Sequence, residues 1–258
     1  VDMMVVSKAL YPKVKDIEST VLPVILAMED FSPLRGKAGN MIRGFLPKPI
    51  KVKEDDLASI IYTSGTTGNP KGVELTHKNL VWTALQCQTV HRVNKYDRCL
   101  SFLPLSHVYE FTIGFVLQIL NGSCIYYLER PPTVSTLLPA FKKVRPTIVL
   151  SVPMVMEKIY KHKILPALRG TQIRRFFHKL PVTGYLMDFV AGLQLKKAFG
   201  RKIRFFGIGG ARLNPEVELF LKRAHFPYAI GYGLTETSPL LAGSGPKNTM
   251  PGTVGPVL

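Results

Sequence analysis

Short apolar and β-branched runs alternate along the chain with segments whose apolar residues recur at helical spacing. The apolar runs predict strands at residues 3–6, 21–28, 57–62, 72–75, 99–103, 123–128, 147–151, 203–208 and 226–230. The helical spacing predicts helices at residues 11–20, from residue 77 onward, and at residues 108–120, 134–144 and 216–224. Because strands and helices alternate, we expect an α/β fold of mostly parallel sheets flanked by helices.

Polar residues mark where two of these helices begin. Thr76 precedes the helix that starts near residue 77, and its hydroxyl can accept a hydrogen bond from a backbone N–H of the first turn. Asn214 and Pro215 suit the cap and the first position of the helix over residues 216–224, because the first helical residue needs no N–H donor. Both helix starts are therefore predicted from local chemistry.

The pattern divides the chain into four portions. Residues 1–53 form an upstream α/β portion that ends in an irregular connection over residues 32–53. Residues 54–153 form a central α/β unit. Residues 154–202 are predicted to be helical throughout, and residues 203–258 return to strands and loops.

The helical segment 154–202 carries much of the positive charge of the chain. Its acidic residues are Glu157 and Asp188, and its basic residues are Lys158, Lys161, Lys163, Arg169, Arg174, Arg175, Lys179, Lys196, Lys197, Arg201 and Lys202. One interpretation is a helical layer with an apolar face in the core and solvated lysines outside. The other is a basic surface that docks on anionic lipid, where each base contributes about 1 kcal/mol.

The whole chain has 258 residues and a formal net charge of +17, with 46% apolar and 20% charged residues. This balance is typical of a globular protein rather than a disordered one. The charge suits nucleic acid, an anionic membrane surface or polyanionic small substrates. Since no recognisable DNA- or RNA-binding module focuses the charge, we expect no nucleic-acid partner.

Cys87, Cys99 and Cys124 are odd in number and show no CxxC spacing, which argues against a disulfide framework or a zinc site. We therefore expect a reducing, cytoplasmic location, with peripheral membrane contact through the basic segment as the alternative. The uncharged run over residues 111–128 is interrupted by polar residues, so it predicts a helix followed by a strand rather than a membrane span. The chain starts without methionine, and we expect it to be part of a longer protein.

The stretch YTSGTTGNPKG, residues 62–72, combines glycines, hydroxyl residues and Lys71 directly after an apolar run. Glycines let the backbone approach an anion closely, hydroxyls and N–H groups donate hydrogen bonds, and the lysine adds a positive charge. Lys71 lies between Pro70 and Gly72, so the spacing of a Walker P-loop is absent. A loop of this composition is otherwise most often a surface turn.

Two further loops follow predicted strands, at residues 209–211 (GGA) and 231–236 (GYGLTE). Tyr232 offers a flat ring for a purine, Thr235 a hydroxyl for a phosphate, and Glu236 a carboxylate for Mg²⁺. Taken singly, these residues would more often be a core aromatic, a helix cap and a surface charge. Because open α/β sheets bind ligands at the carboxyl ends of their strands, the three loops together predict one nucleotide site.

The three motifs occur in the order and approximate spacing of the adenylate-forming family, which includes acyl-CoA synthetases, aryl-CoA ligases, luciferases and adenylation domains of peptide synthetases. The chain resembles the long-chain fatty acid CoA ligases in particular. PLSHVYE, residues 104–110, is similar to their PLxHxxE segment, and the basic stretch after Met154 is similar to an insertion found in that branch. The resemblance implies that residues 1–258 are part of the large N-terminal domain of an adenylate-forming enzyme.

By this resemblance, the three loops hold ATP. The implied nucleotide-binding residues are Thr63, Ser64, Gly65, Thr66, Thr67, Gly68, Lys71, Gly209, Gly210, Ala211, Gly231, Tyr232, Gly233 and Thr235. Lys71 would neutralise charge on the β- and γ-phosphates. Tyr232 would stack on the adenine, and Thr235 would contact the α-phosphate.

The resemblance also implies the reaction. A fatty carboxylate attacks the α-phosphorus of ATP, pyrophosphate leaves, and the thiol of coenzyme A attacks the acyl-adenylate. The implied catalytic residues are Lys71, His107, Thr235 and Glu236, with His107 beside the acyl pocket. Thr63 and Glu236 would hold Mg²⁺. Such chemistry depends on holding two anions together and stabilising charge on phosphoryl oxygens.

Two other functional classes stay open. A noncatalytic nucleotide-binding module would carry the same loops, and an enzyme that activates an aryl, short-chain or amino acid would need a different pocket. An amino acid calls for an acidic anchor, whereas Glu110 lies among apolar residues that are more typical of an alkyl-lined path. The ribose-binding aspartate, hinge and lysine-bearing C-terminal domain of the family have no counterpart before Leu258, so we expect a truncated, inactive portion that binds ATP weakly at best.

Overall fold

The structure, a computed structural model, describes most of the chain. The described residues are 3–6, 8–18, 20, 24–27, 33–36, 51–64, 69–128 and 131–258. The chain divides into two compact units, Val1–Val52 and Lys53–Leu258. The predictions that lie outside the described residues are both ends of the predicted strand 21–28, most of the connection 32–53 and the loop residues Gly65, Thr66, Thr67 and Gly68.

The first unit contains a three-stranded sheet. Strand β1 (Met3–Val6) pairs in parallel with β2 (Val24–Ala27), which pairs in antiparallel fashion with β3 (Pro33–Arg35). The predicted helix over residues 11–20 is wrong, because the only helical element among the described residues of this range is a 3₁₀ turn at Tyr11–Lys13. No side chain caps this turn and none of its residues is buried, so neither capping nor packing extends it into a helix.

The second unit begins with a hairpin. Strand β4 (Leu57–Thr63) pairs in antiparallel fashion with β5 (Lys71–Thr76), and Thr63 lies opposite Lys71 at the end of the pair. Among the described residues these two strands form a sheet of their own. The expectation that the strand before the phosphate loop belongs to a parallel sheet is therefore wrong.

The hairpin is half-buried rather than buried. Leu57, Ile60 and Tyr62 are exposed, whereas Ile61 and Leu75 belong to a small apolar cluster beneath the hairpin. An uninterrupted apolar run is compatible with a strand that is buried on both faces and with one that is not, and only the strand's neighbours distinguish the two.

The main sheet has six strands in the order β11-β10-β9-β8-β6-β7. Neighbouring strands are parallel except β10 and β11, which are antiparallel. The strands are β6 (Arg98–Ser101), β7 (Cys124–Tyr127), β8 (Ile148–Ser151), β9 (Phe205–Ile208), β10 (Tyr228–Tyr232) and β11 (Ala242–Gly243). The predicted α/β class with a mostly parallel sheet is confirmed.

The two faces of this sheet pack against different helices. Ile148 and Leu150 of β8 join one apolar cluster, and Val149 between them joins the other. In the same way Phe205 of β9 packs against the first cluster and Phe206 lies in the second. The alternation follows from the twofold repeat of side chains along a strand, so the sheet is the middle of three layers.

Helices cover both faces of the sheet. They are α1 (His77–Val90), α2 (Leu117–Leu120) after a π-helical stretch Glu110–Val116, α3 (Val134–Val144), α4 (Pro153–Ile159), a π-helical turn Tyr160–Ile164, α5 (Leu165–Arg169), α6 (Gln172–Lys179), α7 (Pro181–Ala198) and α8 (Pro215–Arg223). The prediction of helix throughout residues 154–202 is largely confirmed. The segment forms several helices rather than one, with short breaks at which Thr171 and Pro181 begin new helices.

Two predicted helix starts are confirmed by their capping hydrogen bonds. The backbone N–H of Asn79 donates to Thr76 Oγ1 at 3.2 Å, and the Thr76 N–H donates to Asn79 Oδ1 at 3.0 Å. Asn214 Oδ1 accepts from the Glu216 N–H at 2.9 Å. These caps satisfy N–H groups that a helix cannot satisfy itself.

Asp97 ties three strands together at the amino edge of the main sheet. Thr147 Oγ1, just before β8, donates to Asp97 Oδ1 at 2.7 Å, and Arg204 Nη1, just before β9, lies 3.2 Å from the same oxygen. The Asn94 N–H donates to Asp97 Oδ2 at 2.9 Å. Asp97 itself is buried, so its charge is compensated inside the fold.

The uncharged run over residues 111–128 forms helix and then strand, as expected. It contains most of the π-helical stretch Glu110–Val116, then α2, and finally β7. Among the described helices, none combines the length and the apolar character needed to cross a bilayer.

Candidate nucleotide-binding site

A cavity of about 500 Å³ opens at the carboxyl ends of β9 and β10, beside the hairpin. The cavity is lined by Thr63, Ser64, Lys71, His107, Val108, Tyr109, Gly209, Gly210, Gly231, Tyr232, Gly233, Leu234, Thr235, Glu236, Pro239 and Leu240. The structure thus brings together residues of all three loops. Ala211 lies instead on an adjoining cavity of about 650 Å³ that shares Gly210 and Tyr232 with the first.

The hairpin brings the Lys71 end of the first loop to the cavity. Because Thr63 pairs with Lys71 in the β4–β5 register, the hydroxyl residue and the lysine reach the cavity from adjacent strands. No ion pair joins Lys71 or Glu236 to another side chain in the part of the chain that the structure describes. Opposite charges that line a cavity without a protein partner are available to a charged ligand.

The second loop follows β9 directly. Gly210 has φ of +87°, a left-handed conformation that glycine adopts without strain. A Cβ atom at Gly209 would lie 3.4 Å from the Tyr109 ring, and one at Gly207 would lie 2.8 Å from the Tyr109 hydroxyl. The glycines therefore let Tyr109 pack flat against the end of β9.

The third loop follows β10. A side chain at Gly233 would overlap the carbonyl oxygen of Pro239, because the backbone at Gly233 lies close to the backbone at Pro239. The short 3₁₀ turn Thr235–Thr237 has Leu234 at its N-cap, and the Leu234 N–H donates to Thr237 Oγ1 at 2.9 Å. The Thr235 hydroxyl is thus not required as a cap.

Tyr232 is 51% exposed and lines both adjoining cavities. A core aromatic would be buried, so the interpretation of Tyr232 as a packing residue is not supported. A half-exposed ring between two cavities can stack on a planar ligand.

His107 is exposed and lines the same cavity. The Tyr109 backbone N–H donates to His107 Nδ1 at 3.2 Å. Since Nδ1 accepts this hydrogen bond, the neutral ring carries its proton on Nε2, which is then a donor.

An apolar pocket lies behind the nucleotide cavity. It is lined by Ile113, Leu117, Ile148, Leu150, Phe205, Ala229 and Ile230 among other residues. The pocket shares Tyr109, Gly231 and Leu240 with the nucleotide cavity, and its volume is about 40 Å³. Such a volume holds a few water molecules at most.

Sequence reasoning missed two of the shared residues. Tyr109 lies within the segment PLSHVYE, so that segment could have pointed to it, whereas no local signal singles out Leu240. Burial raises the pKa of the Tyr109 hydroxyl strongly, so this group stays protonated and can donate a hydrogen bond.

Glu110 lines neither cavity. Its side chain is 1% exposed, neither carboxylate oxygen makes a hydrogen bond of normal geometry, and a Cβ atom at Gly114 would lie 2.6 Å from the carboxyl group. Burial raises the pKa of Glu110 to about 7, and the Ser101 hydroxyl acts in the opposite direction. The carboxyl group is thus packed between the π-helical stretch and the sheet.

The donor set at the cavity suits a magnesium ion that arrives with a nucleotide. The described residues contain no group of three or more His, Cys, Asp and Glu side chains that could hold a metal by themselves. Mg²⁺ commonly takes one or two protein oxygens and completes its coordination with phosphate and water. The Thr63 hydroxyl and the Glu236 carboxylate, both among the residues that line the cavity, fit that requirement.

A model of the AMP-binding enzyme family matches residues 3–258. This chain belongs to the AMP-binding enzyme family. The resemblance found in the three loops is therefore confirmed, and the α/β fold is that of the N-terminal domain of adenylate-forming enzymes.

Several curated AMP-binding enzymes are similar in sequence. Long chain acyl-CoA synthetase 7 of Arabidopsis thaliana is 32% identical over 79% of this chain and 30% of its own length. Long-chain-fatty-acid–CoA ligase 4 of Saccharomyces cerevisiae is 29% identical over 89% of this chain and 34% of its own length. This chain thus spans about a third of the length of these relatives.

Solved structures of AMP-binding enzymes share the fold. A benzoate CoA ligase from Burkholderia xenovorans matches 100% of this chain and 46% of its own, with a TM-score of 0.73 and 21% identity. ATP-bound MatB from Rhodopseudomonas palustris matches 100% of this chain and 45% of its own, with a TM-score of 0.72 and 21% identity. At this identity the likeness concerns the fold alone.

Proposed function

We propose that this chain is the central part of the large N-terminal domain of a long-chain fatty acid–CoA ligase. The observation that carries the proposal is the contact between the two pockets. A polar cavity with one free cation and one free anion among its described lining residues shares three residues with an apolar pocket. A nucleotide and an acyl chain would therefore meet at Tyr109, Gly231 and Leu240. The sequence relatives named above act on long-chain fatty acids, which supports the same substrate class.

In this proposal different residues of the cavity bind different parts of ATP. Lys71 neutralises charge on the β- and γ-phosphates, Tyr232 stacks on the adenine, and Thr235 contacts the α-phosphate. Thr63 and Glu236 hold Mg²⁺, which would supply charge neutralisation on the phosphates when bound. The chain's own part is to hold two anions close together and to orient them.

Two donors would position the fatty carboxylate. His107 carries a proton on Nε2 when neutral, and the hydroxyl of Tyr109 stays protonated, so both can donate to an oxyanion. Tyr109 lines both pockets, which makes it the side chain best placed to meet the carboxylate end of an acyl chain. Coenzyme A is the acceptor in this proposal.

The small volume of the apolar pocket supports a second candidate substrate class, the aryl or short-chain acids. A volume of about 40 Å³ cannot take a long alkyl chain unless side chains move, and it favours an aryl or short-chain acid. An amino acid is disfavoured, because the Glu110 carboxylate that could anchor an ammonium group does not line either pocket. We propose that the pocket widens when a long acyl chain enters.

A lysine substitution tests the nucleotide site directly. Lys71→Ala should weaken Mg-ATP binding about 10- to 100-fold, because a charge-assisted hydrogen bond contributes about 1.5–3 kcal/mol. Lys95→Ala is the matched control, since Lys95 is an exposed lysine outside the cavity lining. Isothermal titration of both variants measures the difference, and equal affinities would remove Lys71 from the proposed site.

Acid-dependent pyrophosphate exchange tests the substrate and the competence of this chain. The complete protein should exchange fastest with palmitate, more slowly with octanoate and slowest with benzoate. The reverse order would favour the aryl or short-chain ligase, and Mg-ATP binding without exchange would favour a noncatalytic module. Brisk exchange by the 258-residue chain alone would show that the chain is not an inactive portion.

We also propose a reducing, cytoplasmic location with peripheral contact to an anionic membrane. The three cysteines carry free thiols, as a reducing compartment maintains them. The membrane partner rests on the basic segment 154–202. Its acidic residues are both engaged within the fold, because Asp188 pairs with His178 and Glu157 Oε1 accepts from the Asn214 N–H at 2.9 Å.

A further inference from the structure

Helix α6 (Gln172–Lys179) turns its apolar residues toward solvent. Ile173 is 70% and Phe176 is 62% exposed, Phe177 is also exposed, and no residue of the helix is buried. An amphipathic helix on a protein surface ordinarily packs its apolar stripe on the core and exposes its polar stripe. The orientation of α6 is the reverse, so its apolar face is available to something outside the described chain.

Hydrogen bonds explain this orientation. His178 lies on the opposite side of α6 with its side chain 9% exposed, and its Nε2 lies 2.8 Å from the Asp188 carboxylate on α7. Arg175 Nε donates at 2.9 Å to the carbonyl oxygen of Arg169, the last residue of α5. The polar side of α6 is thus held against the fold by partners on both neighbouring helices, which leaves its apolar side facing outward.

The following helix extends the apolar surface. On α7 (Pro181–Ala198) the exposed residues Val182, Leu186, Val190 and Leu193 recur at intervals of four, four and three residues. This spacing places them on one stripe of the helix. The buried residues of α7, such as Asp188 and Leu195, lie on another side, so the stripe is a second apolar face without a partner among the described residues.

The exposed charge around this surface is mostly basic, with Glu216 of α8 as an exposed acid that pairs with Arg169 at 2.8 Å. Between residues 158 and 202 the sequence contains one acidic residue, Asp188, which is buried. Its carboxylate lies within hydrogen-bond distance of His178 and pairs with Arg223. Exposed bases flank α6, among them Lys163 and Lys179. Two copies of this surface facing each other would repel, whereas an anionic surface would be attracted.

We propose that α6 and the first half of α7 form a docking surface for an anionic lipid bilayer. Ile173, Phe176 and Val182 enter the boundary between headgroups and acyl chains, and the surrounding bases contact lipid phosphates. The inference rests on the proposed membrane partner and specifies the surface that meets it. Apolar insertion and basic attraction are two separate signals, and stable attachment of a protein to a membrane commonly needs two.

Vesicle sedimentation with matched variants tests the surface. The chain should sediment with vesicles of phosphatidylcholine and phosphatidylglycerol and much less with phosphatidylcholine alone. Ile173→Ser combined with Phe176→Ser should lower binding at least about tenfold, because each side chain loses its apolar burial in the lipid. The control combines Leu85→Ser with Ile119→Ser, two comparably exposed apolar residues outside the segment, and it should bind like the original chain.

A fluorescent variant gives a second readout that does not depend on loss of binding. The chain has one tryptophan, Trp82, so Phe176→Trp in a Trp82→Phe background places the only indole on α6. Its emission should shift to shorter wavelength when anionic vesicles are added and stay unchanged with phosphatidylcholine. The circular dichroism spectrum and the Mg-ATP affinity of each variant should match those of the original chain. A loss of vesicle binding can then be distinguished from damage to the fold or to the nucleotide site.

Three results would overturn the inference. If the original chain does not bind anionic vesicles, both the proposed membrane partner and the proposed docking surface are wrong. If the serine variant binds as well as the original chain, the membrane remains a partner but α6 is not the surface that contacts it. Self-association of the original chain in light scattering, lost in the serine variant, would identify a second copy as the occupant instead of lipid.

Discussion

Two neighbouring residues at the start of the π-helical stretch, Tyr109 and Glu110, lie in different environments. Tyr109 lines both pockets, whereas Glu110 is turned inward against Gly114 and loses its contact with water. A buried carboxyl group without good hydrogen bonds favours its neutral form, because desolvation raises the free energy of the charged form much more than that of the neutral form. The residue therefore couples the packing beside the candidate site to pH.

The pKa of Glu110 predicts a pH-dependent contribution to stability. Burial raises its pKa from 4.5 to about 7 in the folded chain, so the folded state binds this proton more tightly than the unfolded state. The favourable contribution is complete below about pH 4.5 and is lost as pH rises through about 7. The difference between 4.5 and about 7 corresponds to about 3 kcal/mol as an upper value.

Glu110→Gln removes this titration and keeps the shape of the side chain. We expect the variant to gain stability relative to the original chain between pH 5 and pH 8, by roughly 1–3 kcal/mol. Urea unfolding of both proteins across this range measures the difference, in which other titrating groups cancel. A difference that is constant with pH would contradict the burial of an ionisable carboxyl group at this position.

At the scale of elements, the amino edge of the main sheet depends on one buried charge. Asp97 accepts hydrogen bonds from Thr147 and Arg204, which precede β8 and β9, and thereby fixes how three adjacent strands begin. The register of β8 against β9, with Ile148 opposite Phe205, decides which loops meet at the carboxyl ends of these strands. Asp97 therefore supports the site from the far end of the sheet.

Asp97→Ala should destabilise the chain by about 3–5 kcal/mol, because it leaves the Thr147 hydroxyl and the Arg204 guanidinium without their shared partner. Asp55→Ala, at an exposed aspartate of the same unit, should change the free energy of unfolding by less than about 0.5 kcal/mol. Urea unfolding monitored by circular dichroism compares the two variants. Similar losses for both would show that Asp97 does not organise the strand starts.

At the scale of the whole molecule, every described residue that lines the candidate site belongs to the unit Lys53–Leu258. This unit contains the hairpin, the six-stranded sheet and the helices on both faces of that sheet. A unit that contains its own apolar core is expected to fold by itself.

A chain of residues 53–258 should therefore unfold cooperatively and bind Mg-ATP with the affinity of the 258-residue chain. Calorimetry measures the transition, and titration with Mg-ATP measures the affinity. Saturating Mg-ATP should raise the melting temperature of both chains alike, because a ligand that binds the folded state stabilises it. Loss of a cooperative transition would show that residues 1–52 are needed for the fold of the second unit.

The sequence by itself determined the α/β class, the five parallel strands β6–β10 of the main sheet, the two capped helix starts, the basic helical segment and the membership of a family. These features depend on local patterns of apolar spacing, capping chemistry and short motifs. The loops that line the cavity were predicted as well, because each follows a strand and carries residues of distinctive chemistry. The roles of Lys71, Tyr232 and Glu236 stay predictions.

Only the tertiary structure decided which neighbour each element meets. It paired the strand before the first loop with β5 instead of the main sheet, and it left the turn Tyr11–Lys13 without the packing that would extend it into a helix. It turned Glu110 inward and Tyr109 toward the ligand cavity, although the two are adjacent in sequence. It also faced α6 outward, because the partners of His178 lie on other helices. Such outcomes depend on residues far apart in the chain, and a local pattern does not contain them.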